Sequence, residues 1–366
     1  MPEVNDPLAL LPAEALRTVD WARSLPIQFP SSTVNALHRG ELPTADSVAA
    51  LRLLRTYTNK APTSARLPIP YHSIPEWIRT LVAKAIGYSK RRSSDRWSAF
   101  PHWPIDLSSD CLADMAGLFS PFAAGPTPVI LSHDLDSPEG LANLHRDFIS
   151  IEESVGARST NYIVPCAWPI DQERLSDVFN RGHEIGIHGY NHANLTPFMN
   201  NGERSQRLNA ARELIDKYRI TGYRAPSLLR TKALIEDLKP LYRYDSSVPT
   251  TGGLFPIPNN GCASARPFFL EGMPEIPVSM PRDGSLIFLG YSAQEIFDLW
   301  VECAQRIAAS GGVVVVLTHC EHRFSGSKKM LDVYRKFLAY IAESDIFCWS
   351  TPNQVVDRFL DHQQRI

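Results

Sequence analysis

The chain has 366 residues, enough for one barrel with an extension or for two average domains. Hydrophobic residues make up 44% and charged residues 21%, the texture of a globular protein with a large core. The 37 basic and 39 acidic side chains leave a formal charge of −2, which removes the electrostatic case for nucleic acid or an acidic polymer as partner.

Residues 1–125 are proline-rich with short helical patterns and read as a mainly helical extension. The start, Met-Pro-Glu-Val-Asn-Asp, has no basic or apolar leader pattern, and no run of 18 uncharged apolar residues follows. The six cysteines, Cys111, Cys166, Cys262, Cys303, Cys320 and Cys348, form no C-x-x-C pair and read as reduced thiols. A cytoplasmic location is the expectation. Pro75 to Ile86 reads as an amphipathic helix with Trp77, Leu81, Val82 and Ile86 along one side, followed by Lys90, Arg91 and Arg92. It can pack on the flank of the fold or lie against a membrane surface and serve a lipid-linked sugar. Phe100 to Pro104 is rigid and aromatic.

From residue 126 onward short apolar runs alternate with longer amphipathic segments, the pattern of repeated β–α units. Strands are expected at 128–133, 161–164, 184–188, 222–224, 242–246, 286–289, 313–318 and 347–350. Helices are expected at 137–155, 171–180, 203–218, 231–241, 293–309, 328–343 and 353–360. Ser137-Pro138-Glu139 supplies a capping hydroxyl, a first-turn proline and an acid. The fold class is α/β, with a parallel barrel or a doubly wound sheet. The stretch Pro249 to Pro281, rich in Gly and Pro, is expected to lie over the rim and select substrate.

Asp134, His188, Arg224, Asp245 and His319 each fall at or just past the C-terminal end of an expected strand. In a βα barrel those ends build the active site. His188 and His192, at i and i+4, together with one carboxylate make a three-ligand metal site with an open position. His183-Glu184 mimics the start of H-E-x-x-H, but the next histidine comes one residue too late. Asp134 and Asp136 are two apart in an extended segment and share a face, so one can bind metal while the other serves as general base. A guanidinium at Arg224 can hold a carboxylate ionised, and Pro226 can aim the Ser227 N–H at an oxyanion. His319, closing a β-branched run, is a candidate general acid that Asp245 can orient.

Taken in order, Ser-His-Asp-Leu-Asp, His-Gly-Tyr-Asn-His, Arg-Ala-Pro-Ser, Asp-Ser-Ser-Val and Leu-Thr-His resemble the motif set of the polysaccharide deacetylases, the NodB-homology or carbohydrate esterase family 4 proteins. The resemblance covers about residues 126–360. It implies a distorted (β/α)7 barrel over 126–366 and a divalent metal, zinc first, with cobalt, nickel, manganese or iron as alternatives. It implies Asp134 as base, Asp136, His188 and His192 as ligands, Arg224 as the tether of Asp134, and Asp245 as support of the acid His319. Asp136 is displaced by one residue from the usual second aspartate, as in a D-x-D variant. Val248 replaces the motif tryptophan and Leu228 the motif glycine. The expected reaction is deacetylation of an amino sugar or glycoconjugate, with acetate leaving past Leu317. The rival readings are another C–N hydrolase (deformylase, imidase or ureide hydrolase), a non-catalytic carbohydrate-binding protein, and a non-haem iron oxygenase.

Overall fold

The computed structural model describes residues 19–25, 27–62, 75–92, 100–252 and 260–365. The helices ahead of the barrel are α1 (Ser31–His38), α2 (Ala45–Leu53), α3 (Glu76–Arg92) and α4 (Ser108–Met115). The strands are β1 (Thr127–Leu135), β2 (Ser159–Ile163), β3 (Glu184–His188), β4 (Gly222–Arg224), β5 (Tyr244–Asp245), β6 (Phe268–Leu270), β7 (Met273–Glu275), β8 (Val314–His319) and β9 (Phe347–Trp349). Their order is β6-β7-β5-β4-β3-β2-β1-β8, with β9 also paired to β1. All pairings are parallel except the β6–β7 hairpin.

An irregular segment closes the circuit between β7 and β8. Val278 N donates to Val248 O, Met280 N to Val315 O, and Val315 N to Ser279 Oγ. The result is a distorted barrel, closed without a full ladder on that side.

Period-two alternation sorts the side chains. On β1, Val129, Leu131 and Leu135 join the large core under the helices, while Ile130 faces the inner cluster with Phe122, Tyr162, Tyr244, Val313 and Val315. Continuing up the inner face, Ile130 gives way to Ser132 and Asp134. On β8 the inner row runs Val313, Val315, Leu317 and His319. The barrel interior is therefore an apolar plug below and a polar rim above. His133, on the outer face of β1, is buried under the helices, where Nε2 meets Glu152 at 2.7 Å and Nδ1 meets Thr318 at 2.8 Å.

Three local expectations change. The helix expected at 203–218 is two helices, α8 (Asn201–Asn209) and α9 (Arg212–Tyr218), after α5 (Pro138–Asn143), α6 (Ile149–Ser154) and α7 (Gln172–Asn180). A π-turn at Leu144–Phe148 joins α5 to α6, so the expected 137–155 helix is one interrupted run. After α10 (Lys232–Leu238), the strand expected at 286–289 is helix α11 (Asp283–Phe288). Its apolar run is buried on the barrel, a burial that a short helix satisfies as well as a strand.

Helix α3 packs on α11 through its small residues. Ala83 is buried, and a Cβ on Gly87 would lie 2.0 Å from the Phe288 carbonyl oxygen. Of the two readings of the apolar side, packing on the flank is not what the structure has: Trp77 is 69% and Leu81 65% exposed, and Val82 and Ile86 are also exposed. Close approach of two backbones requires the side without bulk, which decides the orientation. No helix among the described residues is long and apolar enough to cross a membrane.

Candidate active site

A cavity of about 500 Å³ opens at the C-terminal ends of the strands, within the range of small-molecule sites. Asp134, Asp136, His188, His192, Ser227 and His319 all line it.

Asp136, His188 and His192 present one ligand atom each within 4.8 Å of one another. His192 Nε2 lies 3.0 Å and His188 Nε2 3.6 Å from Asp136 Oδ1. Bonds of ~2.0 Å to a tetrahedral ion place ligands roughly 3.3 Å apart, so these edges fit a cation. His188 Nδ1 is 3.0 Å from the Arg224 carbonyl oxygen, which fixes the proton there and leaves Nε2 as a lone pair facing the site. Asp136 Oδ1 is buried without an aligned hydrogen bond, a cost that a bound cation removes. Burial lowers the His188 pKa, the direction that favours the neutral ring a metal ligand needs. Burial opposes the charge on Asp136, but His192 overcomes it and holds the carboxyl well below its usual range. The residues fit a divalent metal.

The third member of this group sits on strained backbone. His192 has φ 58°, in the left-handed region, and Ser227 and Leu228 follow suit at 53° and 55°. Leu228, where the motif has glycine, thus adopts a backbone conformation that glycine takes without strain. Gly189 has φ +70°, and a Cβ there would lie 2.5 Å from Pro226. The glycine after His188 is what lets the two rim loops meet.

Arg224 is fully buried and occupies the barrel interior. Nη1 donates to Asp134 Oδ1 and to Ser132 Oγ, each at 3.0 Å; Nε donates to Ser246 O and Nη2 to Ser246 Oγ. Its guanidinium lies 4.1 Å above the Tyr162 ring. Burial would raise the Asp134 pKa, but His188 and Arg224 outweigh it and hold the carboxylate ionised.

Asp245 does not reach His319. β5 is in register with β4 so that Tyr223 pairs with Asp245 and Gly222 with Tyr244. Tyr244 faces the interior, so Asp245 faces outward, because one residue of offset reverses the side. It accepts from Ser247 Oγ at 2.6 Å and neighbours Glu275, and burial raises the pKa of both carboxyls. The partner of His319 is Asp283, at the start of α11. Asp283 Oδ1 is 2.9 Å from His319 Nδ1, and Oδ2 accepts from the His319 N–H and Ser325 Oγ, each at 2.8 Å. Burial lowers the His319 pKa, but Asp283 more than reverses it and pushes it up to about 9.

Leu317 is also placed elsewhere. It lies one inward step below His319, buried with Leu228 and Val278, and does not line the cavity. Nor do the described residues of 249–281; the wall there is Arg282, Gly284, Ser285 and Phe288. The hairpin inside that stretch sits at the far edge of the sheet. His183 lies outside the cavity, where Nδ1 accepts from Ser159 N at 3.1 Å. Sequence reasoning missed Asp283, Glu321 and Arg79. Asp283 stood beside a segment read as a strand, and Arg79 belongs to a helix outside the motif region.

The Asp283 bond predicts a pH effect. A general acid must carry its proton, so activity should fall as pH rises through the His319 pKa. In Asp283→Asn the alkaline limb of kcat/KM should move down towards the ordinary histidine range near about 6.5. A pH–rate profile checks this; an unmoved limb would assign that limb to another group.

Residues 129–241 match the family model described as polysaccharide deacetylase. No curated protein matches the chain significantly. Among solved structures, a probable polysaccharide deacetylase from Pseudomonas aeruginosa PAO1 is 12% identical, with a TM-score of 0.54 over 71% of this chain and 98% of that one. The Puue allantoinase is 12% identical, with a TM-score of 0.53 over the same shares, 71% and 98%. A chain from Mycobacterium smegmatis, provisionally named a polysaccharide deacetylase, is 18% identical, with a TM-score of 0.51 over 66% and 92%. These likenesses share the barrel. The sequence similarity to polysaccharide deacetylases thus covers residues 129–241, and the solved structures extend the likeness as a shared fold.

Proposed function

We propose that the chain is a metal-dependent amidohydrolase that removes an acetyl or related N-acyl group from an amino sugar or glycoconjugate. The observation that carries this is one cavity lined by the Asp136–His188–His192 group, by Asp134 and by His319. A divalent cation, zinc by the donor set, would be held by those three residues and supplies Lewis-acid polarisation and a lowered pKa for water.

The chain's own residues do the rest. Arg224 occupies Asp134 Oδ1, which leaves Oδ2 to take the proton of the attacking water. That oxygen lies 3.6 Å from His188 Nε2, beside the metal-binding nitrogen. Ser227, on the cavity wall, would offer its N–H to the oxyanion. His319, held protonated by Asp283, gives the Nε2 proton to the leaving amine as the C–N bond breaks. One proton enters Asp134 and one leaves His319, and exchange with solvent restores both.

Incubation of the metal-loaded protein with N-acetylated amino sugars should release acetate, and chelation should stop it. Formate from an N-formyl sugar, or ammonia from a cyclic ureide, would move the assignment to another C–N hydrolase on this scaffold. The fold shared with an allantoinase keeps that second reading open. Six unpaired thiols support a reducing compartment, hence a substrate met inside the cell; fractionation of the native host tests it. We take 126–366 as the barrel unit, with α3 as part of its cavity.

The outward apolar side of α3 supports peripheral membrane contact. Trp77, Leu81, Val82, Ile86 and Tyr88 are exposed, with Lys84 and Lys90 also exposed on the helix. In vesicle sedimentation with anionic lipid, Trp77→Ser/Leu81→Ser should cut the bound fraction several-fold. Equal sedimentation of variant and parent would remove the membrane from the picture.

A further inference from the structure

Arg282 is anomalous for a buried cation. It is 8% exposed and lines the cavity, and its Nη2 is buried with no hydrogen-bond partner. A guanidinium withdrawn from water without a full set of acceptors is costly and persists where a ligand completes it. Burial pulls its pKa down to about 10, against the pull of Asp134 and Asp283. Two more guanidinium groups line the same cavity. Arg79 comes from α3, and Arg323 lies 4.6 Å over the Phe324 ring, itself 4.7 Å from the His319 ring.

The acidic groups of the cavity are engaged elsewhere. Asp134 is held by Arg224, and Asp136 faces the two imidazoles. Glu139 accepts from His322 N at 3.0 Å. Glu321 accepts from Ser137 Oγ at 2.7 Å, and burial raises its pKa to about 7. A neutral glycan could offer Arg282 Nη2 a hydroxyl oxygen but no charge. A carboxylate would answer one guanidinium, whereas a phosphoryl group, with up to two charges and three free oxygens, can answer several.

We infer that the cavity accepts an N-acyl amino sugar bearing a phosphoryl group, with Arg282 as the phosphoryl-binding residue and Arg79 and Arg323 as further contacts. The inference rests on the deacylase reading for the position of the acyl group, since the phosphoryl end lies on the α3–α11 side of His319. A nucleotide-linked sugar and a lipid-linked sugar share this chemistry.

Calorimetric titration of the full-length protein with inorganic phosphate tests the site apart from catalysis, on metal-loaded protein and after chelation. Binding should survive chelation, weaken at least tenfold in Arg282→Gln and persist in part in Arg282→Lys. Arg323→Gln, at a partly exposed position, should weaken it less and serves if Arg282→Gln fails to fold. Equal binding by the Arg282→Gln and parent proteins, or binding lost on chelation, overturns the inference. Acetate release then separates the two readings. N-acetylglucosamine 1-phosphate should exceed N-acetylglucosamine at least tenfold in kcat/KM, with Arg282→Gln erasing the preference through KM. Phosphate binding without acetate from either sugar would sink the deacylase reading and leave the phosphoryl site standing. Acetate release without preference would do the reverse. Competition by uridine diphosphate against farnesyl phosphate identifies the source: the nucleotide arm wins for a soluble donor, the prenyl arm for a lipid carrier.

Discussion

Replacing Asp136 with alanine should strip the divalent metal and reduce acyl release to background. Asp136 is the only carboxylate in the three-residue ligand group found among the described residues, and both imidazoles face it. Without it the group has two neutral nitrogens and no anion to balance a dication. Loss of a group that merely supports a ligand costs about 10–100-fold in metal affinity; loss of the ligand itself should exceed that. Asp134→Asn makes the contrast. It leaves the ligand group intact, so metal should remain while the rate falls about 10²–10⁴-fold with the general base. Metal content by elemental analysis and acetate release, measured on the same preparations, give both answers. A metal-loaded, active Asp136→Ala protein would end its assignment as ligand.

Arg224→Ala should be the most destabilising single change in the site. The side chain is fully buried, binds Asp134, Ser132 and Ser246 at once, and covers the Tyr162 ring. Its removal leaves the Asp134 carboxylate buried opposite an empty space. Breaking a buried pair in this way costs about 3–5 kcal/mol, readable as a lower midpoint in urea denaturation. The Asp134 pKa should rise as its cation is lost, so any residual activity should need higher pH, where the base regains its charge. A variant within about 1 kcal/mol of the parent would show that Arg224 acts as an exposed pair does.

Much of the rim was legible because its signals are local. Asp134 and Asp136 alternate at the end of one strand, and His188 and His192 are four residues apart, so each pair is close along the chain. The β-branched run 313–318 could only be a buried strand, which put His319 at its end. Asp245 looked equally well placed, but its facing depended on the register of two very short strands, β4 and β5, and no pattern within either encodes that register. Asp283 was hidden by Leu286 to Leu289, whose apolar run suits a strand or a helix until the neighbouring surface is known.

The amino-acid sequence by itself determined the chemistry at the rim: which residue types stand at the strand ends, and the spacing that lets three of them face one cation. Only the tertiary structure decided who supports them and what else shares their space. It brought Asp283 to His319, turned Asp245 outward, sent the apolar side of α3 to the surface and buried Arg282 beside the site. Such outcomes follow from register and from the packing of elements far apart in the chain. Those are properties of pairs of surfaces, and no single segment carries them.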